Sequence, residues 1–128
     1  MNTQNRLSVM LDCSRNAVMN INALKKYIDI LAKFGYNSLM LYTEDTYEIK
    51  GEPYFGYLRG RYSHDELKEI DCYAASKGIE LIPCIQTLAH LNQVMRWERF
   101  KKIRDIDDIL LASDPETLAL FDKVFASL

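Results

Sequence analysis

Three short, mostly apolar runs constrain the fold of this sequence more than any other feature. They occupy residues 7–11, 38–42 and 80–85, and each ends in polar residues before a longer segment begins. Runs of this kind are typical of parallel strands buried on both faces. Hairpin signals are absent between them, and each connection is long enough to hold a helix. The sequence therefore predicts a βαβαβα chain of the α/β class, with a parallel sheet and right-handed crossovers.

The segments after the three runs carry helical spacing together with start and stop signals. In the first segment, apolar residues recur at helical intervals: Ile21, Leu24, Ile28 and Leu31. This helix stops at Gly35, and the second runs from a capping box at Ser63 and Glu66 to Gly78. Residues 96–111 are charged and irregular with a short helix, and Pro115 lies in the first turn of the last helix. The apolar face of that helix consists of four residues: Leu118, Phe121, Val124 and Phe125.

Composition excludes several classes of protein. The formal net charge is -2 with both signs interspersed, so no basic stripe indicates nucleic acid binding. No apolar run approaches the length of a membrane span, and the first residues lack the layout of a secretory signal, which predicts a cytoplasmic protein. Cys13, Cys72 and Cys84 are too widely spaced for a disulfide framework or a zinc site. Two of them lie in or beside strand-like runs, which predicts buried thiols that pack as small hydrophobes.

Two architectures fit three strand–helix units. One is a small doubly wound sheet, and the other is a (β/α)₈ barrel of which this chain supplies the first three βα units. A doubly wound sheet needs a further strand after the final helix, whereas a barrel typically has roughly 250 residues, about twice this length. We therefore favour the barrel, with residues 1–128 as the N-terminal part of an incomplete domain.

Polar residues follow each predicted strand, at the sheet edge where α/β proteins place their active sites. They are Asp12 and Arg15 after the first strand, Glu44 and Asp45 after the second, and Gln86 and His90 after the third. An acid from strand two and the imidazole of His90 can form a carboxylate–histidine pair, which orients the ring for a third group. The alternatives are a turn-capping Asp12, a solvated Glu44-Asp45 turn and a core histidine at His90.

Aromatic residues are concentrated in a glycine-rich segment, residues 46–62, which we call the aromatic loop. Its rings, together with Trp97, can stack on the apolar faces of sugars, or they can form a small core of their own. Trp97 is the least core-like of them and the best candidate for a sugar platform. His64-Asp65-Glu66 resembles a metal site, but acids in a first helical turn are what the helix dipole favours.

Four stretches together resemble the catalytic domain of glycoside hydrolase family 20, in its branch of exo-β-N-acetylhexosaminidases. They are MLDCSRN, LMLYTEDTYE, GEPYFGYLRGRYS and ELIPCIQTLAHLNQ. The resemblance implies a (β/α)₈ barrel that removes terminal β-linked N-acetylglucosamine or N-acetylgalactosamine. It also implies substrate-assisted retention, in which the acetamido oxygen of the sugar attacks its anomeric carbon, without a metal or organic cofactor.

The same resemblance assigns roles to particular residues. Arg15 matches the arginine that binds the ring hydroxyls, the Glu44-Asp45 pair occupies the place of the acidic pair, and His90 matches the histidine of the catalytic triad. Asp12 and Trp97 are further predicted substrate contacts. The family's acidic pair is commonly Asp-Asp, so either Glu44 or Asp45 can be the triad acid.

The catalytic Asp-Glu dipeptide of the family follows a fourth strand, which has no counterpart in these 128 residues, so we expect the chain alone to be inactive. Two other functions stay open. One is a carbohydrate-binding or vestigial fragment, and the other is a small doubly wound domain with a metal or phosphoryl site at Asp12, Glu44 and Asp45. An exposed edge after the third strand also allows a homo-oligomer.

Overall fold

The structure is a computed structural model that describes residues 5–15 and 18–128. Its elements are β1 (Ser8–Asp12), α1 (Ile21–Lys33), β2 (Ser38–Thr43), α2 (His64–Ser76), β3 (Glu80–Ile85), α3 (Asn92–Met95), α4 (Glu98–Lys101) and α5 (Pro115–Phe125). The strands and the three long helices follow the predicted order, whereas the short helix α3 precedes residues 96–111, in which one short helix was predicted. The three strands form one parallel sheet in the order β1-β2-β3. The predicted α/β fold with parallel strands is thus confirmed.

The sheet is covered by α1 and α2 on one face. Leu39 and Leu41 of β2 pack there against both helices in a cluster that we call the helix-side core. On the opposite face Met40 is half-buried, and Met10 is 54% exposed. The prediction that the first strand is buried on both faces is therefore wrong, because β1 is an edge strand and no element among residues 5–15 and 18–128 covers its second face.

The predicted helix ends are confirmed in detail. The Ser63 hydroxyl accepts a hydrogen bond from the Glu66 amide at 3.2 Å, and the Glu66 carboxylate accepts one from the Ser63 amide at 2.8 Å. Asp114 caps α5 by accepting from the Glu116 amide at 2.8 Å, directly before the proline of the first turn. These caps satisfy amide groups that have no partner inside the helix, which fixes where each helix begins.

The predicted apolar face of α5 is confirmed for Val124 and Phe121, which pack in or against the core, and is wrong for Leu118 and Phe125. The buried residues of this helix are Thr117, Leu120 and Val124, whereas Leu118 is 53% and Phe125 is 59% exposed. Two adjacent apolar stripes run along α5, and helical spacing does not distinguish them. Contact with the aromatic loop and the segment after β3 decides which stripe is buried.

A second cluster, which we call the loop-side core, lies between the aromatic loop and the helices after β3. Tyr47 and Phe55 of the loop pack there with Phe100 and Leu120. The loop is therefore a packed part of the fold, which holds it against the carboxyl ends of the strands.

The three cysteines have different environments. Cys13 is completely buried, Cys84 is half-buried and Cys72 is exposed, and all three are free thiols. The prediction of a buried hydrophobic thiol is confirmed for Cys13, and Cys84 is only partly covered. Among residues 5–15 and 18–128, no helix has the length and apolar character needed to cross a bilayer.

Candidate active site

The carboxyl end of β2 carries a buried carboxylate that holds an exposed arginine. Nη1 of Arg15 donates to both carboxylate oxygens of Glu44, at 3.0 and 3.1 Å. The Glu44 side chain is 5% exposed and that of Arg15 is 73% exposed. The hydrogen bond that Arg15 donates to Glu44 raises the pKa of Arg15, and the negative charge of Glu44 adds a smaller rise. Glu44 therefore fixes a permanently charged guanidinium where a ligand can reach it.

Asp45 forms a second, fully buried ion pair with a residue that sequence reasoning missed. Nε of Arg59 lies 3.1 Å from Oδ1 of Asp45, with side-chain exposures of 8% and 1%. Nη2 of Arg59 also donates to the carbonyl of Ser14, so this arginine ties the loop to the ends of both β1 and β2. Oδ2 of Asp45 is buried and has no hydrogen-bond partner among the described residues. Burial of such an oxygen is costly unless a donor is supplied.

The aromatic loop touches the end of β2 at Gly56. This residue has φ +67°, and a Cβ placed on it would lie 2.0 Å from the carbonyl oxygen of Asp45. The side chain of Arg61 holds the same turn by donating to the carbonyls of Pro53 and Phe55. Only glycine allows this close approach, which positions Arg59 over Asp45.

A small open cleft of about 270 Å³ lies at this end of the sheet, lined by Arg15, Val18, Leu58, Arg59 and Gly60. A larger groove of about 550 Å³ runs between α2 and β3, and none of the predicted site residues line it. Of the predicted site residues, Arg15 alone is among the described residues that line the smaller cleft, where Arg59 lies beside it.

Asp12 has the turn-capping arrangement that was one of its two predicted roles. Its Oδ1 accepts hydrogen bonds from the Ser14 amide at 2.8 Å and from the Ser14 hydroxyl at 2.6 Å. These bonds, the side-chain bond first, hold the pKa of Asp12 below its usual value. Asp12 is thus a charged carboxylate close to Arg15, and its predicted substrate contact stays a prediction.

The structure does not bring His90 into contact with the acids of strand two. Its imidazole is 65% exposed, and Nδ1 lies 3.8 Å from Oδ2 of Asp108. Its backbone has φ +61°, the left-handed region that few non-glycine residues adopt. In the described part of the chain, neither a hydrogen bond nor an ion pair joins His90 to Glu44 or Asp45. The role of His90 in a triad stays a prediction.

Trp97 lies in an aromatic cluster that it forms with Tyr54 and Tyr57, at ring-centroid distances of 5.4 and 5.3 Å. The Arg96 guanidinium covers the Trp97 ring at 5.0 Å. The ring is half-buried and packs on the loop-side core, so the prediction that Trp97 is the least core-like aromatic is wrong. Tyr54 and Tyr57, 47% and 45% exposed, present the open ring surface.

Part of the aromatic loop forms a small core of its own, which was the alternative prediction to sugar-stacking rings. Tyr47, Phe55 and Tyr62 are each 2% exposed. Burial raises the pKa of Tyr47 far above its usual value, the charge of Asp45 adds to this effect, and the Tyr47 hydroxyl has no partner among the described residues. The loop thus combines a buried inner layer with an exposed outer pair of rings.

A parallel strand–helix succession with polar side chains at the carboxyl ends of its strands is the arrangement found in part of a (β/α)₈ barrel. Residues 7–117 match the family model "Glycosyl hydrolase family 20, catalytic domain". The chain therefore belongs to glycosyl hydrolase family 20, which confirms the resemblance described above.

Individual relatives agree with this family. The chain is 27% identical over 109 residues to hexosaminidase D of Homo sapiens, covering 83% of this chain and 22% of that protein. Its structure is similar to a beta-N-acetylhexosaminidase from Bacteroides fragilis, with 28% identity and a TM-score of 0.79. The match covers 93% of this chain and 28% of that protein. A GH20 exo beta-N-acetylglucosaminidase from Vibrio harveyi, solved with N-acetylglucosamine, has 19% identity to this chain and a TM-score of 0.81. The match covers 94% of this chain and 25% of that protein. The chain thus spans about a quarter of these relatives, and its three βα units have the fold of part of their barrels.

Proposed function

We propose that residues 1–128 form the N-terminal part of a family 20 barrel, and that the whole protein is a retaining β-N-acetylhexosaminidase. Its substrate is a glycan with a terminal β-linked N-acetylglucosamine or N-acetylgalactosamine. The family match and the fit to solved hexosaminidases support this proposal. The observation that carries it is the exposed Arg15 guanidinium fixed by the buried Glu44 carboxylate at the end of β2.

In the proposed mechanism, the acetamido oxygen of the sugar attacks the anomeric carbon while the glycosidic carbon–oxygen bond breaks, and a carboxylic acid contributed from beyond strand three protonates the leaving oxygen. A neighbouring carboxylate stabilises the acetamide, and water then opens the oxazolinium intermediate to release the sugar with retained configuration. The role of this chain is to bind and orient the sugar. Arg15 donates hydrogen bonds to ring hydroxyls, and Glu44 prevents the guanidinium from swinging away. Asp12 and Trp97 stay predicted substrate contacts.

We assign the triad acid to Asp45 rather than Glu44. Both oxygens of Glu44 are engaged by Arg15, whereas Oδ2 of Asp45 is buried and finds no partner in the part of the chain that the structure describes. A histidine N–H that reached this oxygen would satisfy it, and the carboxylate would then orient the imidazole. His90, which follows β3, is the candidate, and it would have to leave its contact with Asp108.

Hydrolysis of p-nitrophenyl N-acetyl-β-glucosaminide and N-acetyl-β-galactosaminide by the complete protein tests the proposal. Arg15→Ala should lower kcat/KM by about 10- to 150-fold, since hydrogen bonds from charged groups contribute about 1.5–3 kcal/mol. Arg6→Ala is the matched control. Arg6 forms a surface ion pair with Glu80 at 2.7 Å, near the amino ends of the strands, with both side chains more than half exposed. Such surface pairs contribute little, so its activity should equal that of the wild type.

Equal activity of Arg15→Ala and Arg6→Ala would contradict the assignment of Arg15. A complete protein that binds N-acetylglucosamine without cleaving either glycoside would replace hydrolysis by the alternative carbohydrate-binding function. Sequencing the reading frame beyond the Leu128 codon tests the domain proposal, which expects a fourth apolar strand followed by Asp-Glu. The cytoplasmic location and a homo-oligomer stay predictions.

A further inference from the structure

The uncovered face of the sheet carries a tyrosine beside the Arg15–Glu44 pair. In the strand register, Tyr42 of β2 lies opposite Asp12 of β1 and Cys84 of β3. Glu44 follows the last residue of β2 directly, two positions after Tyr42, and its carboxylate holds Arg15. The Tyr42 side chain is half-buried, and its charge interaction with Arg15 is one of the smaller influences on the pKa of that arginine. Tyr42 therefore belongs to the site on position alone.

The hydrogen bond of Tyr42 orients its hydroxyl group. Nε2 of Gln86, directly after β3, donates to the Tyr42 hydroxyl oxygen at 2.8 Å. An amide N–H can only donate, so the tyrosine oxygen accepts and its own hydrogen must point elsewhere. Among the described residues, no acceptor takes that hydrogen. A half-buried O–H that is pre-oriented and unused, beside the guanidinium to which the proposed function assigns the sugar hydroxyls, is suited to donate to a sugar oxygen.

We propose that Tyr42, oriented by Gln86, is a specificity-determining residue that donates a hydrogen bond to one hydroxyl of the sugar held by Arg15. The inference rests on the proposed function and extends it from charge-assisted binding to the choice between sugars. Arg15 attracts any hydroxyl within reach, whereas a single oriented O–H donates only to a hydroxyl oxygen in one place. A substrate analogue without that hydroxyl cannot form the hydrogen bond, and the tyrosine O–H of the site then stays unpaired. The enzyme should therefore turn over this analogue less efficiently than the parent sugar.

The test is a substrate–variant cycle on the complete protein. The wild type and Tyr42→Phe are assayed with the p-nitrophenyl N-acetyl-β-hexosaminide that the wild type cleaves best and with its 3-, 4- and 6-deoxy analogues. Tyr42→Phe should lower kcat/KM for the parent substrate by roughly 3- to 10-fold, the range of one neutral hydrogen bond. With one deoxy analogue the wild type and the variant should be equally active, because the bond is absent in both.

Two further variants separate this role from a structural one. Gln86→Glu replaces the donor by an acceptor that captures the tyrosine hydrogen, so it should give the same selective loss as Tyr42→Phe while the tyrosine is retained. Tyr36→Phe is the matched control, since Tyr36 is a half-buried tyrosine before β2 at the opposite end of the sheet. It should leave all four substrates unchanged.

The outcomes distinguish this inference from the proposed function. An active wild type with a Tyr42→Phe loss that is the same for all four substrates overturns the inference and leaves the hexosaminidase proposal in place. A wild type that cleaves none of them is tested by calorimetric binding of N-acetylglucosamine and its deoxy analogues, with the same expected cycle. A protein that neither cleaves nor binds them refutes the proposed function, and the inference falls with it.

Discussion

Replacement of Gly56 by alanine should destabilise this chain far more than the same replacement at Gly51, although both glycines lie in the aromatic loop. Both have positive φ, +67° and +83° respectively. Alanine at either position must therefore adopt a left-handed backbone conformation, which lowers the free energy of unfolding by about 1–2 kcal/mol. At Gly51 none of the described residues, apart from the two chain neighbours, lies within 4 Å of the new Cβ, so Gly51→Ala is the matched control that isolates this backbone penalty.

At Gly56 the new Cβ meets the carbonyl oxygen of Asp45 at 2.0 Å, and two carbons of the Arg61 side chain at 3.0 and 3.1 Å. A normal carbon–oxygen contact needs more than 1 Å of additional separation, because non-bonded heavy atoms are most favourable at about 3.5–4.0 Å. The loop must therefore lift from the end of β2. That movement separates Arg59 from the fully buried Asp45, and a broken buried pair costs about 3–5 kcal/mol.

We therefore expect a loss of about 1–2 kcal/mol in the free energy of unfolding for Gly51→Ala, and of at least about 3–5 kcal/mol for Gly56→Ala. Urea unfolding followed by far-UV circular dichroism measures both. Trp97 is the only tryptophan in these 128 residues and packs on Tyr54 and Tyr57, so its fluorescence reports on the loop itself. Equal losses for the two variants would refute the close approach of Gly56 to Asp45 and the fixed loop inferred from it.

Two further predictions concern the pH dependence of stability. Burial of Glu52 raises its pKa, but hydrogen bonds from Lys123 at 2.6 Å and Arg99 at 3.0 Å outweigh this, so the pKa lies below its usual 4.5. Glu52→Gln should lower the free energy of unfolding by about 1.5–3 kcal/mol at neutral pH. Thermal melts should show the difference from the wild type shrinking as the pH falls below 4.5. The reason is that a carboxylate with a lowered pKa loses its stabilising effect when it is protonated. Burial raises the pKa of Cys13 from 9.0 to about 11, so its contribution to stability should be lost as the pH rises through that range. In the native protein at mildly alkaline pH, Ellman's reagent should modify Cys72 and spare Cys13 until urea unfolds the chain; equal rates for the two thiols would contradict the burial of Cys13.

Local features of the chain could be predicted because their causes lie within a few residues. The capping box at Ser63, the first-turn Pro115 and the stop at Gly35 each depend on groups one to four positions apart. Apolar runs near 38–42 and 80–85 were sufficient to place β2 and β3, whose observed bounds differ by one residue at most. These elements, their parallel order and the polar residues at their ends are properties of sequence pattern.

What only the tertiary structure decided depends on contacts between distant residues. Arg59 looks like an ordinary loop residue until the turn at Gly56 places it on Asp45, and Trp97 looks exposed until Tyr54 and Tyr57 pack against it. The same applies to the exposed face of β1 and to the stripe of α5 that is buried. The sequence alone determined which elements form and which chemistry follows each strand, because propensity and spacing act locally. Long-range packing decided which carboxylate holds the exposed arginine and which carboxylate is buried with an oxygen that has no partner among the described residues. It also decided which ring faces solvent. Local sequence patterns carry no information about such contacts.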